Sequence, residues 1–337
     1  MKDWKSLLSR DRTTWLLEPS SPSVRYWTQR WILGLQPGDP ALAVTRAAIA
    51  SSEPVRRLVA SQKPGGYWGA NPLPHNGARL GVQLLAWLGC DRDMTGTEGR
   101  AAYEAAVRAM DCMTSGHLDA DGAYRYVTPS SGRVVLLPCH GAELARSLFR
   151  FGKAKDGRLA TMVDWLLSLE NADGSFPCLA KEARPSCLFV TALILRLAED
   201  LRALPDSGAL GAGRRRAMEG AAATSATLVL DGGFARAARN KPQGRWFAFG
   251  LPLLWDSDVL ELLRLVAPFT TANDPRLRPA LDLVLSKQAK DGTWPCEKKP
   301  KSDTWISKYV ELDTPGKASK WVTLAAYRAL KAVYEES

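Results

Sequence analysis

The sequence predicts an all-α protein assembled from repeated helix pairs, and two observations lead there. The first is a glycine-x-aromatic tripeptide that recurs along the chain. It stands at Gly66-Tyr67-Trp68, Gly122-Ala123-Tyr124, Gly174-Ser175-Phe176, Gly232-Gly233-Phe234 and Gly292-Thr293-Trp294, at intervals of 56, 52, 58 and 60 residues. A period of this size is the mark of one supersecondary unit per copy, each stacked on the next. The second is the near absence of alternating β-branched runs, with Val134-Val135-Leu136-Leu137 the main exception.

Each unit reads as helix, glycine-aromatic turn, loop, helix. Apolar periodicity places first helices at Pro54 to Gln62, Leu159 to Glu170 and Leu277 to Gln288. Aspartate precedes the glycine in three copies, Asp121, Asp173 and Asp291. Asp-Gly is expected to end the first helix, because glycine accepts the left-handed conformation needed there. The second helices are apolar on more sides than the first; Cys187 to Leu195 contrasts with Arg214 to Glu219. An evenly apolar helix is buried all round, whereas an amphipathic one keeps a wet face. That contrast suits two concentric layers, second helices inside. Such a stack either stays open or closes into a ring.

Composition sets the bounds. The chain has 337 residues, 46% of them hydrophobic and 24% charged, as in ordinary globular proteins. No apolar run reaches the length of a membrane span, and Met1 to Ser6 has no signal-peptide character. A cytoplasmic protein with reduced thiols is expected, its six cysteines too few for a disulfide scaffold. The formal charge of +10 allows anionic ligands or a membrane surface. Nucleic acid is not expected, since no binding-module pattern occurs. The basic clusters Arg214-Arg215-Arg216 and Lys298-Lys299-Pro300-Lys301 read as solvated faces.

Leu285 to Trp294 resembles the Gln-Trp repeat of squalene and terpene cyclases. Gln62 to Trp68 is a shorter match and Leu166 to Phe176 a degenerate one. The same helix-pair repeat occurs in protein prenyltransferase β subunits. The resemblance implies an (α/α)6-type toroid with a central apolar cavity, an N-terminal arm over residues 1–22 and a single domain over 23–337. It also implies a cyclase or transferase acting on an isoprenoid or other apolar, even phosphorylated, substrate. A partner subunit, which the prenyltransferases need, is neither indicated nor excluded.

In such a ring the inner helices start near Tyr26, His75, Cys139, Cys187, Asp256 and Trp321. Neighbouring inner helices then bring Cys139 beside Cys187, and Cys178 sits in the loop leading into the latter. With His140 these make a candidate zinc site, since thiolate and imidazole are zinc's usual donors. Cys139-His140-Gly141 also resembles the Cys-His-Gly motif of lantibiotic cyclases, which are α-toroids too. No nucleotide cofactor is expected. Each cysteine alone reads as a small core residue, and Cys90, Cys112 and Cys296 are taken as structural.

A second constellation, Trp255-Asp256-Ser257-Asp258-Val259, resembles the Asp-x-Asp-Asp element of class II terpene cyclases. The resemblance makes Asp258 the acid that protonates an alkene or epoxide, with Val259 in place of the last aspartate. The alternative is that Asp256 or Ser257 merely caps the helix Val259 to Val266. Glu143 and His75 are further acid-base candidates. Trp246, Trp255, Trp305 and Trp321 offer aromatic faces to a cation, and Arg245, with Lys241, would hold a diphosphate. His117 reads as a surface group. The competing function is a toroid used only for binding or as a scaffold.

Overall fold

The computed structural model describes residues 3–69, 77–128, 131–153, 155–180, 186–203, 210–233, 244–254 and 256–335. It is all-α apart from two minimal sheets. The expected Val134 strand forms as β2 (Val134–Leu136), antiparallel to β1 (Arg125–Val127) with Tyr126 opposite Val135. β3 (Trp294–Pro295) pairs with β4 (Ala318–Ser319). Among the described residues no helix is long and apolar enough to cross a membrane.

The main helices are α1 (Pro22–Trp27), α2 (Pro40–Ala50), α3 (Glu53–Ser61), α4 (Ala78–Leu88), α5 (Gly96–Thr114), α6 (Pro138–Arg150), α7 (Gly157–Leu167), α8 (Leu188–Ala203), α9 (Gly211–Leu228), α10 (Val259–Val266), α11 (Arg278–Ser286) and α12 (Lys320–Glu335). They divide between two compact units. One comprises residues 1–60, 87–102 and 229–337, the other 61–86 and 103–228.

In the second unit α6 packs on α7 and α8, and α9 on α7 and α8. The two members of each pair bury themselves differently. Helix α6 buries Pro138 to Ala145 without interruption, then Ser147, Leu148 and Phe149. Helix α7 buries only Leu159, Met162, Val163, Trp165 and Leu166, one stripe at helical spacing. Helix α9 likewise buries one face, Met218, Ala221, Ala222, Ser225 and Ala226. The apolar contrast between first and second helices is thus a true layering within this unit. In the first unit α1 packs on α2, and α10 on both α11 and α12. The N-terminal residues belong to that core, with Trp4 and Leu16 buried and Trp4 edge-on to Tyr327.

Four of the five tripeptides share one turn. Lys63, Asp119, Asn171 and Ala289 each donate an N–H to the carbonyl four residues on, at 2.8–3.0 Å. Each also accepts the N–H of the glycine three residues on, at 2.8–3.0 Å. The glycines, at φ of 77 to 86°, are left-handed. A Cβ at Gly66, Gly122 or Gly174 would run into Arg108 of α5, Thr161 of α7 or Thr224 of α9, and one at Gly292 into Arg10. At Gly66 and Gly122 the missing side chain lets the turn touch the next helix's backbone; at Gly174 it leaves room for the Thr224 side chain, and at Gly292 for the Arg10 backbone. The expectation that Asp-Gly ends the helix needs correcting. Helix α7 stops at Leu167, well before Gly174, and Asp121, Asp173 and Asp291 instead accept the N–H two residues on.

The aromatics Trp68, Tyr124, Phe176 and Trp294 are all buried, each worth roughly 1.5–3 kcal/mol or more of transfer free energy. The fifth copy departs from the rule: Gly232 and Gly233 continue a helical turn, Val229–Gly233, and Phe234 lies outside the described residues.

Candidate active site

In the second unit, α6 opens with Pro138 at its first turn, a position that needs no N–H. This presents Cys139 and His140 side by side, both buried, with His140 Nδ1 3.2 Å from Cys139 Sγ. The His140 ring stacks on Tyr124, the aromatic of the second tripeptide, and His117 stacks on the same ring. His117 is thus tied into the turn, its Nδ1 3.1 Å from the Arg125 carbonyl, rather than free at the surface.

Cys187 is the N-cap of α8. The Thr191 N–H bonds its carbonyl at 3.0 Å, and the N–H groups of Phe189 and Val190 bond its sulfur. Cys178 lies in side-chain hydrogen-bond contact with Cys187 and is exposed, while Cys187 is half-buried. Hydrogen bonding to Cys178 holds the Cys187 thiol below its usual range, against its partial burial. That same bond drives the Cys178 thiol up. Burial pushes Cys139 up to about 11, and the charge of Cys187 adds to this, while the Arg79 guanidinium opposes it.

The structure thus brings Cys139, Cys178 and Cys187 within electrostatic reach of one another. Among the described residues, however, no group of three or more His, Cys, Asp or Glu side chains is disposed to hold a metal ion. His140 turns its Nδ1 to Cys139, 3.2 Å from the sulfur. The expected zinc site is not assembled among the described residues.

Glu143, one turn along α6, sits in a buried charge network. Its carboxylate meets Arg146 at 3.4 Å and Arg196 at 3.6 Å, while Asp200 is held by Arg146 at 2.8 Å and Arg150 at 2.9 Å. Both Glu143 oxygens face guanidinium groups, Oε2 towards Arg146 and Oε1 towards Arg196. Removing one partner from such a buried network typically costs about 3–5 kcal/mol. Arg79, fully buried on α4, has its pKa lowered to about 10 by that burial, against the pull of Glu143. Sequence reading missed Arg79 and Arg196. The signal for Arg79 was a lone cation in the otherwise uncharged α4, and for Arg196 a cation directly after the apolar run Leu188 to Leu195, where charges are rare unless paired.

The other constellation lies in the first unit. Asp258, not Asp256 or Ser257, is the N-cap of α10, its Oδ1 accepting the Glu261 N–H at 3.0 Å. Its Oδ2 is buried with no hydrogen-bond partner among the described residues. Burial pushes the Asp258 carboxyl up to about 7, against the opposing pull of the Glu261 N–H and Lys298. Asp256 is buried as well, 3.3 Å from Lys298 Nζ and 3.7 Å from Lys301 Nζ. Ser257 Oγ donates to Glu261 Oε2 at 2.7 Å. The solvated face expected for the 298–301 cluster is thus corrected: Lys298 is a buried counter-ion, placed by the loop after β3.

Trp305 packs against Tyr309, and its Nε1 is buried without a partner. Trp321 stacks on Trp87 with centroids 3.9 Å apart. Trp246 is half-buried in a short helix, Gly244–Phe247. His75, Trp255, Lys241 and the Arg245 side chain lie outside the described residues.

No family model matches the chain, and no curated protein does. Solved structures do. A protein from Actinoplanes is 16% identical with a TM-score of 0.43, over 93% of this chain and 90% of that one. The type II terpene cyclase MstE from Scytonema, in complex with geranylgeranyl dihydroxybenzoate, is 15% identical with a TM-score of 0.42, over 93% and 86%. Its apo form is 14% identical with a TM-score of 0.41, over 93% and 87%. The chain is similar to these proteins in structure; a likeness of this degree says nothing about the chemistry of its residues.

Proposed function

We propose that the chain is a cyclase that starts its reaction by protonating an apolar, isoprenoid-type substrate, with Asp258 as the proton donor. One observation carries the reading: a fully buried carboxyl whose second oxygen has no partner among the described residues and whose pKa is raised by burial to about 7. A carboxylic acid is useful as a general acid when its pKa lies near the working pH. Oδ1 stays bound to the Glu261 N–H, which orients the group and leaves Oδ2 to deliver the proton. After transfer, the carboxylate is stabilised by that N–H, by the positive end of α10 and by Lys298. The toroid implied by the repeat would supply the apolar chamber, and the indole faces of Trp305 and Trp321 would offer π density to a carbocation.

The test is turnover on linear polyprenyl compounds, geranylgeranyl dihydroxybenzoate among them. Asp258→Asn keeps a capping side chain and should lower turnover by about 10²–10⁴. A variant that still cyclises would remove Asp258 from the role, and a wild-type chain that turns over none of them would favour binding or scaffolding.

A pH signature accompanies the proposal. The folded chain holds the Asp258 proton to higher pH than the unfolded chain, whose carboxyl titrates near the ordinary value of 3.8. This group therefore costs stability progressively as pH rises from 3.8 to about 7, and no further above that. Chemical denaturation between these limits should show the wild type losing stability relative to Asp258→Asn as pH rises. Parallel curves for the two proteins would contradict a raised pKa.

A further inference from the structure

We propose that Asp256 is a positioning residue for the acid: by holding the Lys298 ammonium it keeps that cation from pairing with Asp258. The inference rests on the reading of Asp258 as the proton donor and says what keeps that proton in place. Asp256 and Asp258 stand two residues apart, the second capping α10, and both are buried. One buried cation, Lys298, reaches them from the loop after β3. A cation in contact with a carboxyl favours its ionised form, and an ionised Asp258 has no proton to give.

Asp256 takes the cation. Its Oδ2 lies 3.3 Å from Lys298 Nζ, while its Oδ1 faces Lys301 Nζ at 3.7 Å and accepts the Ser257 N–H at 3.0 Å. Asp258 has the Glu261 N–H on Oδ1 and no hydrogen-bond partner on Oδ2 among the described residues. The two carboxyls divide the work: one gathers positive charge and the other stays clear of contact with it. Glu261 is engaged elsewhere, Oε2 by the Ser257 hydroxyl at 2.7 Å and Oε1 by Arg264 at 3.6 Å. The elements packed on α10 carry charges with partners of their own. On α11 Arg278 pairs with Asp282; on α12 Lys320 pairs with Glu18, Lys331 with Glu335, and Arg328 lies over Trp31. Asp231, in the turn Val229–Gly233, pairs with Arg276.

The three groups are therefore coupled. Burial raises the Asp258 pKa; the Glu261 N–H and Lys298 oppose it, and the charges of Glu261 and Asp256 support it. Without the Asp256 carboxylate, Lys298 is a buried cation whose neighbouring carboxyl is Asp258. An opposite charge within about 4–6 Å lowers a carboxyl pKa by about 1–3. Asp258 then ionises below neutral pH and the acid is lost. Asp256 also acts directly, as a like charge that favours the Asp258 proton. The two routes differ in one respect: only the first needs Lys298.

The experiment follows the protonated Asp258 carboxyl of the full-length protein by infrared spectroscopy. Its C=O band is assigned by its loss in Asp258→Asn and titrated with pH. The readout needs no substrate, so its failure is distinct from failure of the cyclase reading, which turnover tests. In the wild type the band should disappear with a midpoint at about 7. In Asp256→Asn the midpoint should lie about 1–3 pH units lower. Adding Lys298→Met to Asp256→Asn should return it to the wild-type midpoint, a non-additive result that reports a handover of the cation. An unchanged midpoint in Asp256→Asn overturns the proposal. So does a fall of the same size whether residue 298 is lysine or methionine, because Asp256 is then only a like charge. Asp256→Asn strands a buried cation, and if it does not fold, the methionine background decides. There, adding Asp256→Asn should move the midpoint by less than about one pH unit, and a larger fall overturns the proposal. With a substrate that the wild type turns over, Asp256→Asn should lose activity at pH 7 and regain it at lower pH, and the double variant should keep it at pH 7.

Discussion

The stretch Phe176 to Thr191 and the stretch Trp294 to Thr323 are the same device built in different units of the molecule. Both begin with a buried aromatic whose backbone N–H donates to a threonine on the following helix, Thr191 at 3.1 Å and Thr323 at 3.0 Å. Both continue with Pro-Cys. Both end at a residue four before the threonine that caps the helix with its side chain, Cys187 for α8 and Ser319 for α12. The difference is chemical. The Ser319 hydroxyl accepts the Val322 N–H at 2.9 Å and donates to Asp313 at 2.5 Å. Cys296 is buried, its thiol donating to the Lys298 carbonyl at 3.3 Å. In the other copy both positions are thiols, one exposed, and they meet. A capping position asks only for a small acceptor, and oxygen stands there in one copy and sulfur in the other.

The comparison can be broken most forcefully at the aromatics. Phe176→Ala and Trp294→Ala should each cost about 3–5 kcal/mol, read as a lower denaturation midpoint. If one costs less than about 1 kcal/mol, the two turns are not equivalent anchors. The glycines come next. Gly174→Ala and Gly292→Ala force a left-handed alanine, costing about 1–2 kcal/mol, and push a methyl into a neighbouring element besides. Gly116→Ala is the control, left-handed with nothing close by, and should cost less than either. The smallest effect sharpens the comparison most. Cys187→Ser and Ser319→Cys exchange one capping side chain for another and should each change stability by less than about 1 kcal/mol.

Much of the fold was legible because its signals are local. The Gly-x-aromatic period, the apolar stripe of α7 and the near-continuous apolar run of α8 follow from backbone permissiveness and from burial at helical spacing. The misreading of Asp-Gly as a helix end shows the limit of that logic. Positive φ predicts a turn, but whether the helix stops there or several residues earlier depends on what the turn touches. The 298–301 cluster was misread for a similar reason. Four residues of basic composition look solvated until a loop buries one of them against Asp256.

The chain by itself determined the repeat, the helix pairs, and the cysteines and aspartates standing near helix starts. It could not determine charge states or donor geometry. Whether Asp258 keeps its proton depends on the exclusion of water around its carboxyl. Whether three thiols make a metal site depends on where each sulfur points. Desolvation and hydrogen bonding act through space between residues distant along the chain, so only the tertiary structure decided them.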